Sequence, residues 1–351
     1  MIPIKTARIG YDPLSADLTY PGDRRRFCFF AKSINLNYEI YNPSNEYDLV
    51  ILTEGSDISH WRRIENGPKI IFNQNDSYLS EKLSVRSVFR GLGKYLSKQH
   101  QHLEINFPLA LRGMCKRSDA VICCTTEQKN EISKSCKNTH ILFDAHFQES
   151  TVRKDNYEAH KPFRLVWEGL PTNTYQLLKF SKLIAESDLK DKIELHVITD
   201  KYGYKFLNKF LKFDIQKYIN KLAIKSYFHE WSIKTLQEVA MNSDLAIIPI
   251  DMKDPFTLGK PENKLLLFWR MGLPTIVSGT PSYISVMKGA KQNYFVKEEQ
   301  DWINYIEELI SSKDKRVKAA EGGLDYLNRK YSLDIFMKQW ECILNSIGFS
   351  I

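Results

Sequence analysis

A short polar segment lies between two lysines, and its residue types suit the binding of an anion. Gly259 allows the backbone to approach a ligand closely, and Lys260 and Lys264 supply point charges suited to phosphate oxygens. Glu262 and Asn263 can accept hydrogen bonds from hydroxyl groups such as those of a ribose or a sugar. The alternative is that the same Pro-Glu-Asn run only begins a helix, because proline and acidic side chains both favour a first helical turn.

The elements around this segment place it where ligands bind in parallel sheets. A buried apolar run ends at Ile250 and is followed by Asp251, a helical apolar run ends at Gly272, and a second buried run begins at Pro274. This order predicts strand, loop, helix and strand. Open parallel sheets bind ligands beyond the carboxyl ends of their strands, where helix N-termini offer unpaired N–H groups. We therefore expect an anion site here, with Asp251 at its edge.

A second turn in this half of the chain also leads from a strand into a helix. The run Arg164–Trp167 is followed by Glu168 and Gly169, and then by Thr172 and Asn173. Either Thr172 or Asn173 is a suitable helix cap, and the N–H groups behind a cap can bind a phosphate. Capping without any ligand is the simpler interpretation.

An aromatic segment ends another predicted strand. His229 and Trp231 lie between that strand and the next helix, where an aromatic ring can face a nucleobase. The alternative is that Trp231 belongs to the apolar core. Without further signals the two interpretations stay open.

In the first half of the chain, charged residues follow several predicted strands. Arg24, Arg25 and Arg26 oppose the dipole of the helix they begin, so they either bind an anionic group of a donor or acceptor or form a solvated basic turn, and both interpretations stay open. Glu54 and Asp76 follow the next strands, where a carboxylate can orient sugar hydroxyls or act as a general base. Helix capping by Asp76 is the alternative.

Composition limits the possible classes of protein. The 351 residues favour two domains, 43% of them are apolar, and the formal charge of +8 fits an anionic substrate or an anionic membrane surface better than nucleic acid. Six cysteines without CxxC spacing indicate a reduced, cytoplasmic protein. The sequence contains no HExxH, GxSxG, Walker or GxGxxG motif, so we expect no metal and no nicotinamide cofactor.

Short apolar strands alternate with helical patterns along the whole chain. This predicts an α/β protein of two Rossmann-like, doubly wound domains that face each other across a cleft, the default position of a site. We place an N-terminal domain at 1–150, a linker at 151–162, a second domain at 163–331 and a closing helix at 332–351 that crosses back to the N-terminal domain.

Three of the predicted helices are long or contain unusual residues. They span Arg24–Asn35, Val85–Met114 with an interruption at Pro108, and Tyr204–Leu222. Lysines recur between Lys201 and Lys225 and make the last of these helices basic. Such a helix either faces a membrane surface or, more simply, is solvated.

With these motifs in order, the chain resembles bacterial glycosyltransferases of the GT-B architecture, in particular the group-1 (family 4) class that uses nucleotide sugars. The similarity is most specific in the second half, over residues 167–173, the Trp231 segment and residues 243–279. The arginine-rich helix start after the first strand is similar as well. The resemblance implies a donor-binding second domain and an acceptor-side first domain.

The resemblance also implies roles for individual residues. Lys260 and Lys264 would contact the diphosphate, Glu262 and Asn263 would lie near the sugar or phosphate, and the segment from His229 to Trp231 would flank the base. Cationic groups and a helix N-terminus would stabilise the leaving diphosphate without a metal or any other cofactor. The expected reaction transfers a sugar, with retention, to a hydroxyl of a glycan or lipid-linked glycan in bacterial surface polysaccharide synthesis.

Two positions depart from the family pattern. Many members carry two glutamates seven residues apart, and here Lys260 and Leu267 stand at the aligned positions. An arginine common after the first donor-domain strand is absent, with Thr172 and Asn173 in its neighbourhood. A nucleotide-sugar epimerase of the same fold and a catalytically degenerate scaffold protein are therefore alternatives. For each of these functions we expect a cytoplasmic protein. Peripheral attachment to the inner face of the membrane is a further expectation.

Overall fold

A computed structural model describes residues 1–75, 79, 85–205, 210–253 and 259–351. Asp76, one of the predicted catalytic residues, lies outside the described residues. The chain forms two compact units. The first unit comprises Met1–Ala145, Gly259–Pro261 and Tyr331–Ile351, and the second unit comprises the described residues of His146–Leu258 and Glu262–Lys330.

The described residues contain sixteen strands, most of them short and buried. In chain order they are β1 Ile2–Pro3, β2 Ile9–Asp12, β3 Glu39–Ile40, β4 Leu49–Thr53, β5 Lys69–Asn73, β6 Ala120–Cys123, β7 Thr139–Ile141, β8 Phe163–Glu168, β9 Ile193–Thr199, β10 Tyr202–Lys205, β11 Phe210–Asp214, β12 Ser226–Glu230, β13 Leu245–Ile248, β14 Thr275–Ser278, β15 Phe295–Val296 and β16 Phe349–Ser350.

Fourteen α-helices connect and cover these strands in the described part of the chain. They are α1 Pro21–Arg24, α2 Phe27–Ser33, α3 Ile58–Trp61, α4 Val85–Leu96, α5 Phe107–Arg117, α6 Thr126–Ile132, α7 Tyr175–Ala185, α8 Gln216–Ile219, α9 Ile233–Met241, α10 Asn263–Arg270, α11 Pro281–Gly289, α12 Glu299–Ser311, α13 Lys313–Lys330 and α14 Leu333–Ser346.

Each unit contains one six-stranded parallel sheet. The strand order is β3-β2-β4-β5-β6-β7 in the first unit and β12-β9-β8-β13-β14-β15 in the second unit. Strands such as β4, β6, β13 and β14 are buried at every residue, as expected where helices cover both faces of a parallel sheet. The prediction of two doubly wound, Rossmann-like α/β units is therefore confirmed.

The predicted helix Tyr204–Leu222 is wrong. This region contains the antiparallel pair β10–β11 followed by the single-turn helix α8. Gly203 lies opposite Phe213 in this pair, and an added Cβ at Gly203 would stand 2.2 Å from the Phe213 ring. The described lysines that suggested a basic helix therefore lie in different elements, among them the β10–β11 pair and α8. The described residues of this region form no continuous basic helix face.

Two other helix predictions also need correction. The span Val85–Met114 holds two helices, α4 and α5, and they are separated by residues 97–106 rather than interrupted at Pro108. Pro108 instead lies in the first turn of α5, where the missing N–H is not needed, and the Asn106 side chain caps that turn. The span Arg24–Asn35 is likewise divided, into α1 and α2, with Arg25 and Arg26 between them.

Candidate functional site at the carboxyl edge of the second sheet

The strand order of the second unit defines a switch point between β8 and β13. From β8 the chain continues to β9 and β12 on one side, and from β13 it continues to β14 and β15 on the other. Ligands of doubly wound sheets bind in the crevice that such a reversal leaves outside the carboxyl ends. Glu168 is the last residue of β8, and Asp251 follows β13, where it is exposed and accepts a hydrogen bond from the Lys253 N–H.

Lys264 is fixed at this carboxyl edge. It is the second residue of α10, and its Nζ donates a hydrogen bond to the backbone oxygen of Glu168 over 2.7 Å. The same Nζ lies 4.6 Å from the ring centroid of Trp167, within the range of a cation–π contact. The ammonium group and the first N–H groups of α10 therefore bring positive charge to the edge of the switch point.

Gly169 allows this position of Lys264. A Cβ at residue 169 would stand 2.2 Å from Lys264 Nζ and 2.7 Å from the Trp167 ring. The glycine predicted to lie near a ligand is thus in contact with the predicted diphosphate-binding lysine.

Glu168 also connects β12 to the site. Its carboxylate is buried, and its Oε1 accepts a hydrogen bond from the indole Nε1 of Trp231 over 3.1 Å. Trp231 is half-buried and follows the last residue of β12. This contact places Trp231 at the carboxyl edge, as the sequence pattern suggested, while its stacking on a base stays a prediction.

Glu262 is held by the helix that follows β14. Its Oε2 accepts a hydrogen bond from the hydroxyl of Ser282 in the first turn of α11. Glu262 stands at the N-cap position of α10, yet its side chain makes no capping hydrogen bond there. The adjacent Tyr283 is buried, and burial together with the charges of Glu262 and Glu168 raises the pKa of its phenol. Tyr283 therefore stays protonated beside two carboxylates.

Other residues of the predicted site have separate positions. Asn263 is the first residue of α10 and is half-buried, and Leu267 is fully buried in the same helix. Gly259 and Lys260 are half-buried and group with the first unit. Their roles toward a ligand stay predictions.

The predicted cap of α7 is wrong. Thr172 and Asn173 lie in a 3-10 turn over Pro171–Asn173, and the N-cap of α7 is Thr174. The side chain of Thr174 makes no capping bond, because its Oγ1 donates instead to the Pro171 oxygen over 2.8 Å. The turn shifts the helix start by one to two residues beyond the position that the sequence suggested.

His229 forms a pair with His196 of the neighbouring strand. The Nε2 of His229 lies 2.9 Å from the Nδ1 of His196, and the rings are stacked with centroids 5.2 Å apart. Burial lowers the pKa of both imidazoles; the neighbouring imidazole lowers that of His229 further. Both rings are thus mostly neutral near pH 7, and a contact between His229 and a base stays a prediction.

In the first unit, Arg26 is a buried connection between strands. Its Nε donates to Asp144 over 2.7 Å, its Nη1 to Asn73 over 2.6 Å, and its Nη2 to Cys124 Sγ over 2.7 Å. All three guanidinium nitrogens thus bind the protein itself. Arg24 is half-buried, and the Glu54 backbone oxygen accepts a hydrogen bond from Lys94 Nζ over 3.1 Å.

Sequence reasoning missed three residues of the candidate site. Glu168, Ser282 and Tyr283 contact or neighbour the predicted residues but were not singled out. For Glu168 a signal existed, because it is an acidic residue that directly ends a buried strand. Ser282 and Tyr283 follow a Thr-Pro helix start that resembles many other helix starts, so only the folded arrangement identifies them.

The described residues contain no cluster of three or more His, Cys, Asp or Glu side chains that is arranged to hold a metal ion. That the activity is independent of a metal stays a prediction.

Comparison with known proteins identifies the fold. No family model matches the sequence, and no curated protein matches it either. Among solved structures, HepE from Anabaena in complex with UDP has a TM-score of 0.61 and 11% identity, with 97% of this chain and 100% of that chain covered. Sucrose-phosphate synthase from Thermosynechococcus elongatus has a TM-score of 0.57 and 12% identity, with 84% and 72% covered.

TarM from S. aureus, in complex with fondaparinux, α-GlcNAc-glycerol and UDP, has a TM-score of 0.56 and 11% identity. The alignment covers 86% of this chain but only 55% of TarM, so the chain spans about half the length of that protein. These structures are GT-B glycosyltransferases, and the chain has the GT-B fold.

Proposed function

We propose that the chain is a glycosyltransferase that moves a sugar from a nucleotide-diphosphate sugar to a hydroxyl of a glycan or lipid-linked glycan. The observation that carries the proposal is the position of Lys264, held by the Glu168 oxygen at the carboxyl edge of the second sheet. This edge combines an ammonium group, a helix N-terminus and a switch point, the features that bind nucleotide phosphates in doubly wound sheets.

The fold supports the same proposal. HepE, which has the GT-B fold, was solved with UDP and with UDP and glucose. In this chain the diphosphate would lie against Lys264 and the N–H groups of α10, with Lys260 as the second cation. Glu262, held by Ser282, and Asn263 would bind sugar hydroxyls.

In the proposed reaction the bond between the anomeric carbon and the diphosphate oxygen breaks, and its electron pair leaves with the diphosphate. The acceptor hydroxyl oxygen forms the new glycosidic bond on the same face of the sugar. The hydroxyl proton passes to the departing phosphate oxygen, so the step needs no protein nucleophile. Lys264 and the α10 N-terminus act by stabilising the charge that develops on the diphosphate.

We propose the remaining properties on the same basis. The first unit would bind the acceptor, the reaction would proceed without a metal, and the protein would act in surface polysaccharide synthesis at the cytoplasmic side of a membrane. Leu267, in place of a carboxylate, leaves the ribose to be bound by other groups.

The test combines a ligand screen with product analysis. UDP, GDP, CMP and dTDP compounds are compared for their effect on the melting temperature, because a ligand that binds only the folded state stabilises it. The stabilising nucleotide sugar is then incubated with glycan acceptors. A glycosylated acceptor supports the proposal, whereas an epimerised nucleotide sugar, or the lack of stabilisation by every nucleotide, contradicts it.

A further inference from the structure

We propose that three hydrogen-bonded side chains of the second unit make His229 an acceptor for a nucleobase that carries a ring N–H. The three, called here the imidazole relay, run from Glu194 through His196 to His229. Uracil, thymine and guanine carry such an N–H at the centre of the Watson–Crick edge, whereas cytosine and adenine present a bare ring nitrogen there. The inference rests on the proposed function and adds the class of base to it.

The strand register places the imidazole relay on one face of the second sheet. His196 follows Glu194 by two residues in β9, so both side chains point to the same side of that strand. In the parallel pairing of β9 with β12, Tyr227 lies opposite His196, and His229 follows Tyr227 by two residues. The Nδ1 of His196 meets the Nε2 of His229 across the two strands at 2.9 Å, with 20° between the ring planes.

Glu194 begins the relay as a carboxylate. Its Oε1 lies 3.1 Å from Arg164 Nε, and its Oε2 lies 3.3 Å from Lys225 Nζ. Burial alone would raise the pKa of this carboxyl, but hydrogen bonds from His196, Lys225 and Arg164 lower it. An ionised carboxylate can only accept hydrogen bonds, so the contact of 3.4 Å with His196 Nε2 requires the proton on that nitrogen.

The tautomer of His229 follows from that of His196. Burial lowers the pKa of both imidazoles, so each ring carries one proton near pH 7. Because the proton of His196 lies on Nε2, its Nδ1 is an acceptor, and His229 must donate to it from Nε2. The Nδ1 of His229 is then an acceptor as well. The His229 ring makes no other hydrogen bond to the residues that the structure describes, and its Nδ1 is accessible to solvent.

His229 lies on the side of the candidate site to which a base would extend. It is the last but one residue of β12. Ile198 of β9 pairs with both His229 and Glu168, so His229 stands two strands from Glu168, about 10 Å away. A ligand whose phosphates lie beside Lys264 would extend its nucleoside over β9 and β12, since nucleotides lie across the carboxyl ends of doubly wound sheets.

An acceptor at this position distinguishes between bases of the same size. A ring N–H can donate to His229 Nδ1, whereas the bare ring nitrogen of cytosine or adenine would oppose it with a second lone pair. The lost hydrogen bond and the two opposed acceptors disfavour those bases by about tenfold or more. Glu194 and His196 do not contact the ligand. They are positioning residues, because they determine which nitrogen of His229 carries the proton.

The test is isothermal titration of the whole protein with three pairs of nucleotides, UDP and CDP, dTDP and dCDP, and GDP and ADP. Each pair shares the ring size and the diphosphate and differs on the Watson–Crick edge. For at least one pair, the wild type should bind the nucleotide with the ring N–H about tenfold or more tightly than its counterpart. His229→Gln should reduce this ratio to about twofold or less, because an amide can turn either its oxygen or its nitrogen to the base.

Two further variants separate the relay from local packing. His196→Phe keeps a ring against Tyr227 but breaks the relay, so His229 can carry its proton on either nitrogen and the ratio should fall as in His229→Gln. Tyr227→Phe changes the same sheet face outside the relay and should keep the wild-type ratio.

The outcomes for this inference and for the proposed function differ. If nucleotides bind but the wild type prefers no ring N–H, or the ratio is the same in the wild type and the relay variants, only this inference is overturned. If none of the nucleotides binds the wild type, the proposed function fails and the inference fails with it.

Discussion

Lys264 Nζ donates a hydrogen bond to the backbone oxygen of Glu168 over 2.7 Å, and this contact joins the start of α10 to the end of β8. Glu168 in turn accepts a hydrogen bond from Trp231 through its carboxylate. One residue at the switch point thus connects the lysine of one crossover to the aromatic residue of another. These two hydrogen bonds hold Lys264 and Trp231 at the carboxyl edge of the second sheet.

Gly169→Ala tests the close packing around Lys264. The new methyl would stand 2.2 Å from Lys264 Nζ and 2.7 Å from the Trp167 ring, so the ammonium group must move. We expect a loss of about 1–3 kcal/mol in unfolding free energy and a higher KM for the donor. Gly67→Ala is the control, since its Cβ would make only ordinary contacts from 3.4 Å outward. If the KM for the donor is unchanged in the Gly169 variant, the position of Lys264 does not affect donor binding, and this prediction is wrong.

Trp231→Phe tests the hydrogen bond to Glu168. The variant keeps a ring but leaves the buried Glu168 carboxylate without the indole donor, which we expect to cost about 1–3 kcal/mol. Urea unfolding measures this loss, with Tyr202→Phe on the β10 surface as a control that should be neutral. If the Trp231 and Tyr202 variants have the same unfolding free energy, the hydrogen bond between Trp231 and Glu168 does not contribute to stability.

Arg26→Met tests whether that arginine is structural. The substitution leaves Asp144 as a buried charge without its guanidinium partner, and such losses cost about 3–5 kcal/mol. Arg112→Met, at an exposed position, should change stability by less than about 0.5 kcal/mol. If the Arg26 variant is as stable as the wild type but binds the donor or acceptor less well, Arg26 has the ligand-binding role that the sequence suggested and not a structural one.

His100 should make the first unit sensitive to acid. Burial, and then the charge of Lys94, lower the pKa of this imidazole to about 4, although Asp57 acts in the opposite direction. Neither ring nitrogen has a hydrogen-bond partner among the described residues. The unfolded chain binds a proton near pH 6.5, so the stabilisation is complete above that pH and is lost as pH falls through 4.

His100→Phe should remove this contribution while keeping the ring stacked on Phe107. Unfolding free energies in urea from pH 7 to pH 4 should then fall less steeply than for the wild type, by roughly 3 kcal/mol in total. His102→Phe, at an exposed position, is the control and should follow the wild-type curve. Parallel curves for wild type and the His100 variant would contradict the lowered pKa.

The sequence allowed the donor-side crossover to be predicted because its signals are local. Buried runs on both sides of a polar loop predicted β13, α10 and β14, and Gly272 ends the helix with a φ of 74° as expected for a left-handed glycine. The hairpin β10–β11 was missed because lysines spaced four apart suggested a helix, whereas in the folded chain Gly203 lies against the Phe213 ring of the opposite strand. Packing in the folded chain, and not the helical spacing of the lysines, determined that this region forms strands.

Long-range contacts were beyond sequence reasoning for a different reason. Arg26 and Asp144 are separated by 118 positions and Lys264 and Glu168 by 96, so their pairing follows only from the topology of each sheet. The three arginines suggested one shared anion, whereas burial gives Arg26 a structural partner.

The most direct measurement is isothermal titration of the stabilising nucleoside diphosphate into the wild type, Lys264→Ala and Lys288→Ala. Lys288 is an exposed lysine near the end of α11, so its variant controls for loss of a positive charge. We predict that Lys264→Ala weakens the Kd by about tenfold or more, because it removes a charge-assisted contact to phosphate, and that Lys288→Ala binds like the wild type. Equal affinities for all three proteins, with the Lys264 variant folded, would contradict the placement of the diphosphate at the carboxyl edge of the second sheet.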